Sequence, residues 1–394
     1  MHPPPWAPTL VGDGVTLRAH ASADEEDVLA LGRDPLTQRW TVVPVPYERR
    51  HAQEWLAGRR EAWQAGTGYY FAIELDGRFA GGVDLTPRGE SGMGVGYALA
   101  PWARGRGLTG RALRLLLPWA FETFSPEVVL WSAIAGNWAS RRVAWSVGFR
   151  VEGTVRGYEE QRGIRLDGWI GSLRREDPML PAHPWLDPPV LTGRGVVLRA
   201  HRPDDVTAMT QACNDPATQH WLAQLPTPYT RDDARAHLEE IAEEQAAGRA
   251  VFWAVTDPQH DRLIGEIGLW GIARGEARSG ELGYWTHPSV RGRRLTTEAV
   301  RLVSRYGLLS RAEGGLDLHR TVIRAAEGNA ASQRVAAGAG YTPTGRDRQA
   351  QLLRDGAVED LLRYDLVRGD LAGDDVPPGD LPATGRTPAG RRLG

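Results

Sequence analysis

The chain is written twice, and this duplication constrains its fold more than any other feature. Gly14-Val15-Thr16-Leu17-Arg18-Ala19-His20 recurs as Gly195-Val196-Val197-Leu198-Arg199-Ala200-His201, and Asp34-Pro35-Leu36-Thr37-Gln38-Arg39-Trp40 as Asp215-Pro216-Ala217-Thr218-Gln219-His220-Trp221. Gly96-Tyr97, Pro101 and Arg104-Gly105-Arg106 return as Gly283-Tyr284, Pro288 and Arg291-Gly292-Arg293, and Gly136-Asn137-Trp138-Ala139-Ser140 returns as Gly328-Asn329-Ala330-Ala331-Ser332. The matches keep their order while the offset drifts from 181 to 192 residues. Stacked repeat proteins have periods of roughly 20–50 residues, so a period this long means two domains. The length of 394 residues agrees, because it exceeds what a single hydrophobic core organises.

Between the copies, residues 177–189 hold five prolines, which fix φ and remove backbone donors, so the segment reads as a semi-rigid extended connector. After about Gly369 the chain turns rich in Gly, Pro and Asp and reads as a disordered tail. The expected layout is domain one over 1–177, a linker over 178–189, domain two over 190–368 and a tail over 369–394.

Within copy one, Tyr70–Leu75, Asp76-Gly77 and Arg78–Val83 read as two strands about a tight turn. Gly94–Leu99 and Val128–Trp131 read as further strands, and Ala139–Val147 as a helix. Ala112, Leu115, Leu116 and Trp119 share one helical face, in a helix that Pro118 is expected to kink or shorten. The pattern is α/β (α+β mixed sheet).

Arg104-Gly105-Arg106-Gly107-Leu108-Thr109-Gly110 lies between an expected strand and an expected helix. Backbone N–H groups at such a helix start hold phosphate, glycines let the backbone come close, and arginines add charge. The loop lacks the Gly-Lys-Ser/Thr ending of a nucleoside triphosphate loop, and no dinucleotide-fold fingerprint precedes it.

The run Val95-Gly96-Tyr97-Ala98-Leu99-Ala100-Pro101-Trp102-Ala103-Arg104-Gly105-Arg106-Gly107-Leu108 resembles the acetyl-CoA pyrophosphate loop of the GNAT superfamily, Gln/Arg-x-x-Gly-x-Gly/Ala. Arg104 and Gly107 fill its first two fixed positions, and Thr109, followed by Gly110, replaces the last. The resemblance implies two tandem GNAT folds, each a mixed, mostly antiparallel sheet flanked by helices, with acetyl-CoA as acyl donor. It also implies that backbone groups of Ala98 and Leu99 hold the thioester and pantetheine. Asn137-Trp138-Ala139-Ser140 through Gly148-Phe149 resembles the Asn-x-x-Ser…Gly-Phe signature of the RimJ/RimL branch, which acetylates N-terminal amines of ribosomal proteins. Many other GNATs carry a tyrosine general acid at the position of Ala144; the branch resemblance implies Ser140 as proton donor to the leaving thiolate and Glu159 as general base. Asn137 joins the cofactor site and is also a favoured helix cap.

Copy two keeps Asn329 and Ser332 but puts Arg294 in place of Gly107 and Gln351 in place of Glu159. An amide cannot serve as a base, so copy two is expected to be weakly active or inactive. Against that stands Glu281, on the strand before its loop, where some other GNATs carry a base and copy one has Gly94. His20 and His201, alike in both copies, read as structural.

With Cys213 the sole cysteine, no intrachain disulfide and no multi-cysteine metal site can form. The ten histidines show no His-Glu-x-x-His or ligand spacing, so no metal is expected. A net charge of −2 gives no general pull toward nucleic acid. No stretch approaches the roughly 20 apolar residues of a membrane span, and Met1-His2-Pro3-Pro4-Pro5-Trp6 does not read as a secretory signal, so the cytoplasm is expected. No Gly-x-Ser-x-Gly elbow occurs, which favours direct attack over a covalent intermediate. The expected activity is acetyl transfer to a primary amine, at a protein N-terminus or on a small molecule. The competing expectation is a non-catalytic acyl-CoA-binding regulator or scaffold. Acceptor identity, acyl length and oligomeric state are not legible.

Overall fold

The turn at Asp76-Gly77 shows how the local chemistry begins the sheet. Both residues take positive φ, 52° and 75°, which matches the right-handed twist of two antiparallel strands joined by a two-residue loop. The computed structural model describes residues 4–272 and 278–373, and the chain divides into two units between Ala182 and His183.

Unit one runs β1 (Leu10–Gly12), β2 (Val15–Arg18), α1 (Glu25–Arg33), α2 (Pro35–Trp40), α3 (Arg49–Ala65), β3 (Tyr69–Leu75), β4 (Arg78–Arg88), β5 (Gly92–Leu99), α4 (Leu108–Phe124), β6 (Val128–Ile134), α5 (Trp138–Ser146), β7 (Arg150–Gln161) and β8 (Ile164–Arg174). Its sheet has the order β1-β2-β3-β4-β5-β6-β8-β7. All neighbours pair antiparallel except β5 and β6, which pair parallel and therefore need the crossover that α4 supplies. Leu113, Leu116, Leu117 and Ala120 of α4, fully buried, pack with Phe71, Val83, Leu85, Val129 and Trp131 of the sheet in the larger core. A smaller cluster joins α1 and α3 to the sheet through Val28, Leu29, Ala52, Ala72 and Phe79.

Unit two repeats this with β9 (Leu191–Gly193), β10 (Val196–Arg199), α6 (Val206–Cys213), α7 (Pro216–Trp221), α8 (Arg231–Ala246), β11 (Val251–Thr256), β12 (Leu263–Trp270), β13 (Ser279–Thr286), α9 (Leu295–Leu308), β14 (Arg320–Ala326), α10 (Ala330–Gly338), β15 (Thr342–Leu352) and β16 (Val358–Val367). Its order, β15-β16-β14-β13-β12-β11-β10-β9, is the same sheet, again with one parallel pair, β13–β14.

The expected break at Pro118 does not occur: α4 continues through it for 17 residues. The burial of Leu116, Leu117, Ala120 and Phe121 on either side outweighs the lost hydrogen bond, whose cost is about 3 kcal/mol in an exposed helix. The proline-rich segment makes no helix or strand, and its two ends pack on different units. Met179 lies on the first core, while Leu186 is buried in the second, where the Trp253 indole N–H donates to the Pro189 carbonyl at 2.8 Å. The expected tail begins within a 3-10 helix, Arg368–Gly373, whose Leu371 packs on the second core; its remainder, 374–394, lies outside the described residues.

Candidate active site

The parallel pair opens. Strands β5 and β6 pair from Gly92↔Val128 to Val95↔Trp131, yet β5 continues to Leu99 and β6 to Ile134 without pairing to each other. On the β6 side, the peptide edge of Gly96, Tyr97, Ala98 and Leu99 therefore has no ladder partner and is available to an extended ligand. The same opening follows Leu282↔Ile323 in unit two.

At the apex of the opening lies a four-residue network. The Trp131 indole N–H donates to Ser140 Oγ at 3.1 Å, Ser140 Oγ donates to the Tyr97 hydroxyl at 3.0 Å, and that hydroxyl donates to the Ser140 carbonyl at 2.9 Å. Asn137 caps α5, its Oδ1 accepting from the Ser140 N–H at 3.2 Å. Burial pushes the Tyr97 phenol well above its ordinary pKa, against the hydrogen bonds from Ser140 and Trp131, so the phenol stays protonated. Ser140 is thus held beside a protonated tyrosine. Ala144 is fully buried in the core.

Glu159 enters by a different route. Between Val155↔Gly168 and Glu159↔Leu166 the β7–β8 ladder shifts register, an irregularity that re-aims the strand. The Glu159 Cγ comes within 2.9 Å of where a Cβ on Gly168 would stand, and Gly168 pairs with Ile134, the far end of β6. The carboxylate therefore flanks the open end of the β5–β6 wedge. Its Oε1 is buried and accepts no hydrogen bond from the described residues. Gln161, two residues on, fixes the hairpin by donating through Nε2 to the carbonyls of Arg39 and Thr41, at 2.9 and 2.7 Å.

The loop after β5 closes the site. Gly107 caps α4 in the left-handed conformation, φ 70°, and nothing lies within 4 Å of where its Cβ would stand, so the backbone is open to a close ligand. Gly105 and Arg106 are exposed, while Leu108, Thr109 and Gly110 are buried in the first helical turn and can offer only backbone N–H groups. Arg104 differs from expectation. Its guanidinium donates to Asp34 Oδ2 at 2.6 Å and to Thr37 Oγ1 at 3.1 Å, so it ties the loop to the start of α2 and its charge is already paired. Burial pushes the Asp34 carboxyl up, but Arg104 and the Thr37 N–H more than offset it and leave the pKa below the ordinary value. The recurring Asp-Pro-x-Thr motif is half of this anchor: in unit two Arg291 donates to Asp215 at 2.6 Å and to Thr218 at 2.8 Å.

Unit two keeps the frame elsewhere as well. Tyr284 and Ser332 share a hydrogen bond at 2.9 Å, and Asn329 caps α10. Arg294 is exposed and takes the left-handed φ of 60°, so the loop does not collapse around the larger residue. The β15–β16 ladder shifts between Asp347 and Gln351, which puts Gln351 at the place of Glu159; its Nε2 donates to the Leu352 carbonyl at 3.1 Å. Glu281 is engaged by Arg324 through both oxygens, at 2.7–3.0 Å, which leaves it poorly placed to act as a base.

The two repeated histidines have different surroundings. His20 packs edge-on to Trp55 at 4.7 Å, and burial lowers its pKa to about 4. His201 lies 2.9 Å from buried Glu266, which also meets His237 at 3.0 Å. Burial alone would lower the His237 pKa, but the Glu266 charge outweighs it and the net shift is upward. Tyr97, Asp34 and Thr37 were visible in the sequence only as members of repeated strings.

An open parallel pair, a glycine-capped crossover helix and a serine–tyrosine pair at the apex define an acyl-transfer fold of the GNAT type. The chain belongs to that family: the model of the acetyltransferase (GNAT) domain matches residues 15–150 and 196–342. The probable N-acetyltransferase YjcK of Bacillus subtilis (strain 168) is 31% identical over 121 residues, which span 31% of this chain and 64% of that protein. Among solved structures, Mycobacterium smegmatis RimJ in complex with CoA-disulfide is 20% identical with a TM-score of 0.41, covering 48% of this chain and 91% of that one. The Microcin C7 self immunity acetyltransferase MccE, in complex with acetyl-CoA and AMP, is 19% identical with a TM-score of 0.39, covering 41% and 93%. Among the described residues no helix is long and apolar enough to cross a membrane, and no group of three or more His, Cys, Asp or Glu is placed to hold a metal.

Proposed function

We propose that unit one transfers acetyl from acetyl-CoA to a primary amine, at a peptide N-terminus or on a small molecule, by direct attack in a ternary complex. The observation that carries this reading is the wedge between β5 and β6, with Ser140 and Tyr97 at its apex and the unpartnered Glu159 Oε1 beside its open end. The free strand edge and the glycine-capped start of α4 fit an extended cofactor arm ending in a pyrophosphate. Acetyl-CoA supplies the activated acyl group as a thioester.

A protonated amine cannot attack, so Glu159 takes its proton, directly or through one water. The Leu99 N–H, on the edge of β5 that faces the opening, polarises the carbonyl as charge develops on its oxygen. The Ala98 N–H, expected to share this role, is instead turned into the ladder with β4, in the register that bonds the Ala100 N–H to the Ala80 carbonyl. Ser140 gives its proton to the departing thiolate, and the Tyr97 phenol, which accepts from Ser140 Oγ and donates to the Ser140 carbonyl, holds the serine in place. Unit two is proposed to contribute little turnover, because Gln351 is no base and Glu281 is committed to Arg324. A screen of amines and free-N-terminus peptides with acetyl-CoA, followed by thiol release, tests the reading. Amine-dependent release that Glu159→Gln suppresses is expected; release without any amine dependence overturns it.

A further inference from the structure

Directly across the sheet from the wedge is a carboxylate that the chemistry above does not use. Asp84 of β4 pairs with Tyr70 of β3 on one side and Gly96 of β5 on the other. Both of its oxygens lie over Gly96, 2.7 and 2.8 Å from where a Cβ would stand, so only glycine admits this arrangement. Gly96 immediately precedes Tyr97, in the stretch of β5 that has left β6. Side chains alternate along a strand, which puts Asp84 with Gly82, Gly94, Gly96 and Ala98 on the face opposite that of Val83, Leu85 and Val95, which pack under α4. Along β5 that face is made of Gly94, Gly96 and Ala98, which have almost no side chain; α3 lays Trp55 and Arg59 beside it, and Asp84 is the acidic group among them.

Among the described residues no hydrogen bond or ion pair closes on the carboxylate. Two cations stand near it without reaching it. The Arg59 guanidinium is stacked on the Tyr70 ring at 3.9 Å and the Trp55 ring at 4.4 Å, and Arg88 extends toward Gly94, its Nε 2.9 Å from that residue's Cβ position. His20 lies farther along the same face, its Cε1 3.8 Å from the Cβ position of Gly82. Burial raises the Asp84 pKa to about 6, and the charges of Arg59 and Arg88 only partly counter it. A half-buried carboxylate of this kind gains most from a cationic ligand, which supplies the partner the fold withholds.

Unit two provides the contrast. There the pair is Gly268↔Gly283, without a carboxylate, and the Trp270 ring covers Gly283, its Cη2 1.9 Å from the Cβ position; Phe252 stacks on Trp270. Over corresponding glycines, one unit holds an unpaired acid and the other an indole.

We propose that Asp84 is the group of unit one that receives the acceptor as a cation, holding the ammonium form of a primary amine over Gly96 before Glu159 deprotonates it. This rests on the amine-acetyltransferase reading of the same unit and adds that the acceptor arrives charged. The test uses the full chain and two probes of this one chemistry, spermidine and a tetrapeptide amide with a free N-terminus. In Asp84→Asn, KM for the accepted probe should rise about tenfold while kcat stays within about threefold and acetyl-CoA affinity by calorimetry is unchanged. Loss of acetyl-CoA affinity together with the KM effect would assign Asp84 a structural role and overturn the proposal, as would an unchanged KM. A readout independent of turnover is the Asp84 13C-carboxyl resonance, whose titration midpoint should fall when either probe is added at millimolar concentration. Response to spermidine alone or to the peptide alone identifies the source of the amine. If neither probe is acetylated yet the midpoint falls, the transfer reading fails and the Asp84 site stands; if neither moves the resonance, the Asp84 site falls.

Discussion

The two units differ least where they would meet an acyl donor and most where they would meet an acceptor. Both keep the arginine anchor from loop to α2 or α7, the asparagine cap, the tyrosine–serine pair and the opening of the parallel strands. On the proposed acceptor side, the place of Glu159 is taken in unit two by Gln351, that of Asp84 by Gly268, and those of Gly82 and Ala98 by Glu266 and Trp285. The frame parts are mutually bonded backbone and side-chain devices, so changing one strands its partner, whereas Glu159 Oε1 and Asp84 hold no such bond among the described residues and can change singly. On the proposed reading, the bonded frame is kept in both units, while the acceptor side and one position of the donor loop, Gly107 against Arg294, diverge.

The largest expected effect falls on Glu159. Replacing it with Gln should lower turnover of a verified amine by roughly 10²–10⁴-fold, the usual range for a general base, with acetyl-CoA affinity unchanged. The deficit should shrink at high pH, where more of the amine is already deprotonated. Wild-type rates across pH, measured by thiol release, would remove Glu159 from the mechanism.

The histidines set the two units against each other in acid. The His20 pKa is depressed to about 4 from 6.5, so the unfolded chain binds a proton the folded unit refuses. His20 alone should thus cost unit one stability as pH falls from 6.5 toward 4, by roughly 3 kcal/mol in full. The His237 pKa is raised, so its contribution to unit two is complete below 6.5 and is lost only as pH rises through the folded value. Asp84, raised to about 6 from 3.8, recovers part of the His20 loss below pH 6. Hydrogen exchange on the full chain at pH 7.5 and pH 5 should therefore show unit one loosening slightly and unit two tightening on acidification. Parallel loosening of both would break the contrast.

A smaller effect is expected at the loop. Gly107→Arg imports the unit-two residue into a left-handed position, which costs a non-glycine residue about 1 kcal/mol. It should weaken acetyl-CoA binding by calorimetry without unfolding unit one, since nothing occupies the space of its side chain. An unchanged affinity would put the pyrophosphate elsewhere.

Much of this was legible before the fold was known. The duplicated strings, the Asp76-Gly77 turn and the glycine loop are local signals, and each declares its backbone within a few residues. Pro118 misled because burial of α4, a tertiary effect, overrides its local preference. Arg104 looked like a phosphate ligand because its partner Asp34 lies 70 residues away, and no spacing rule links them. Asp84 was invisible for the same reason: an acid within a strand gains meaning only from the glycine that pairing brings opposite it.

Both units carry the serine–tyrosine pair, yet turnover is proposed for unit one alone. Comparing Ser140→Ala with Ser332→Ala in the full chain, on one verified amine, tests it most directly. Ser140→Ala should reduce the acetylation rate by roughly one to two orders of magnitude, and Ser332→Ala should leave it nearly intact. The opposite ranking would contradict the account and move the chemistry to unit two.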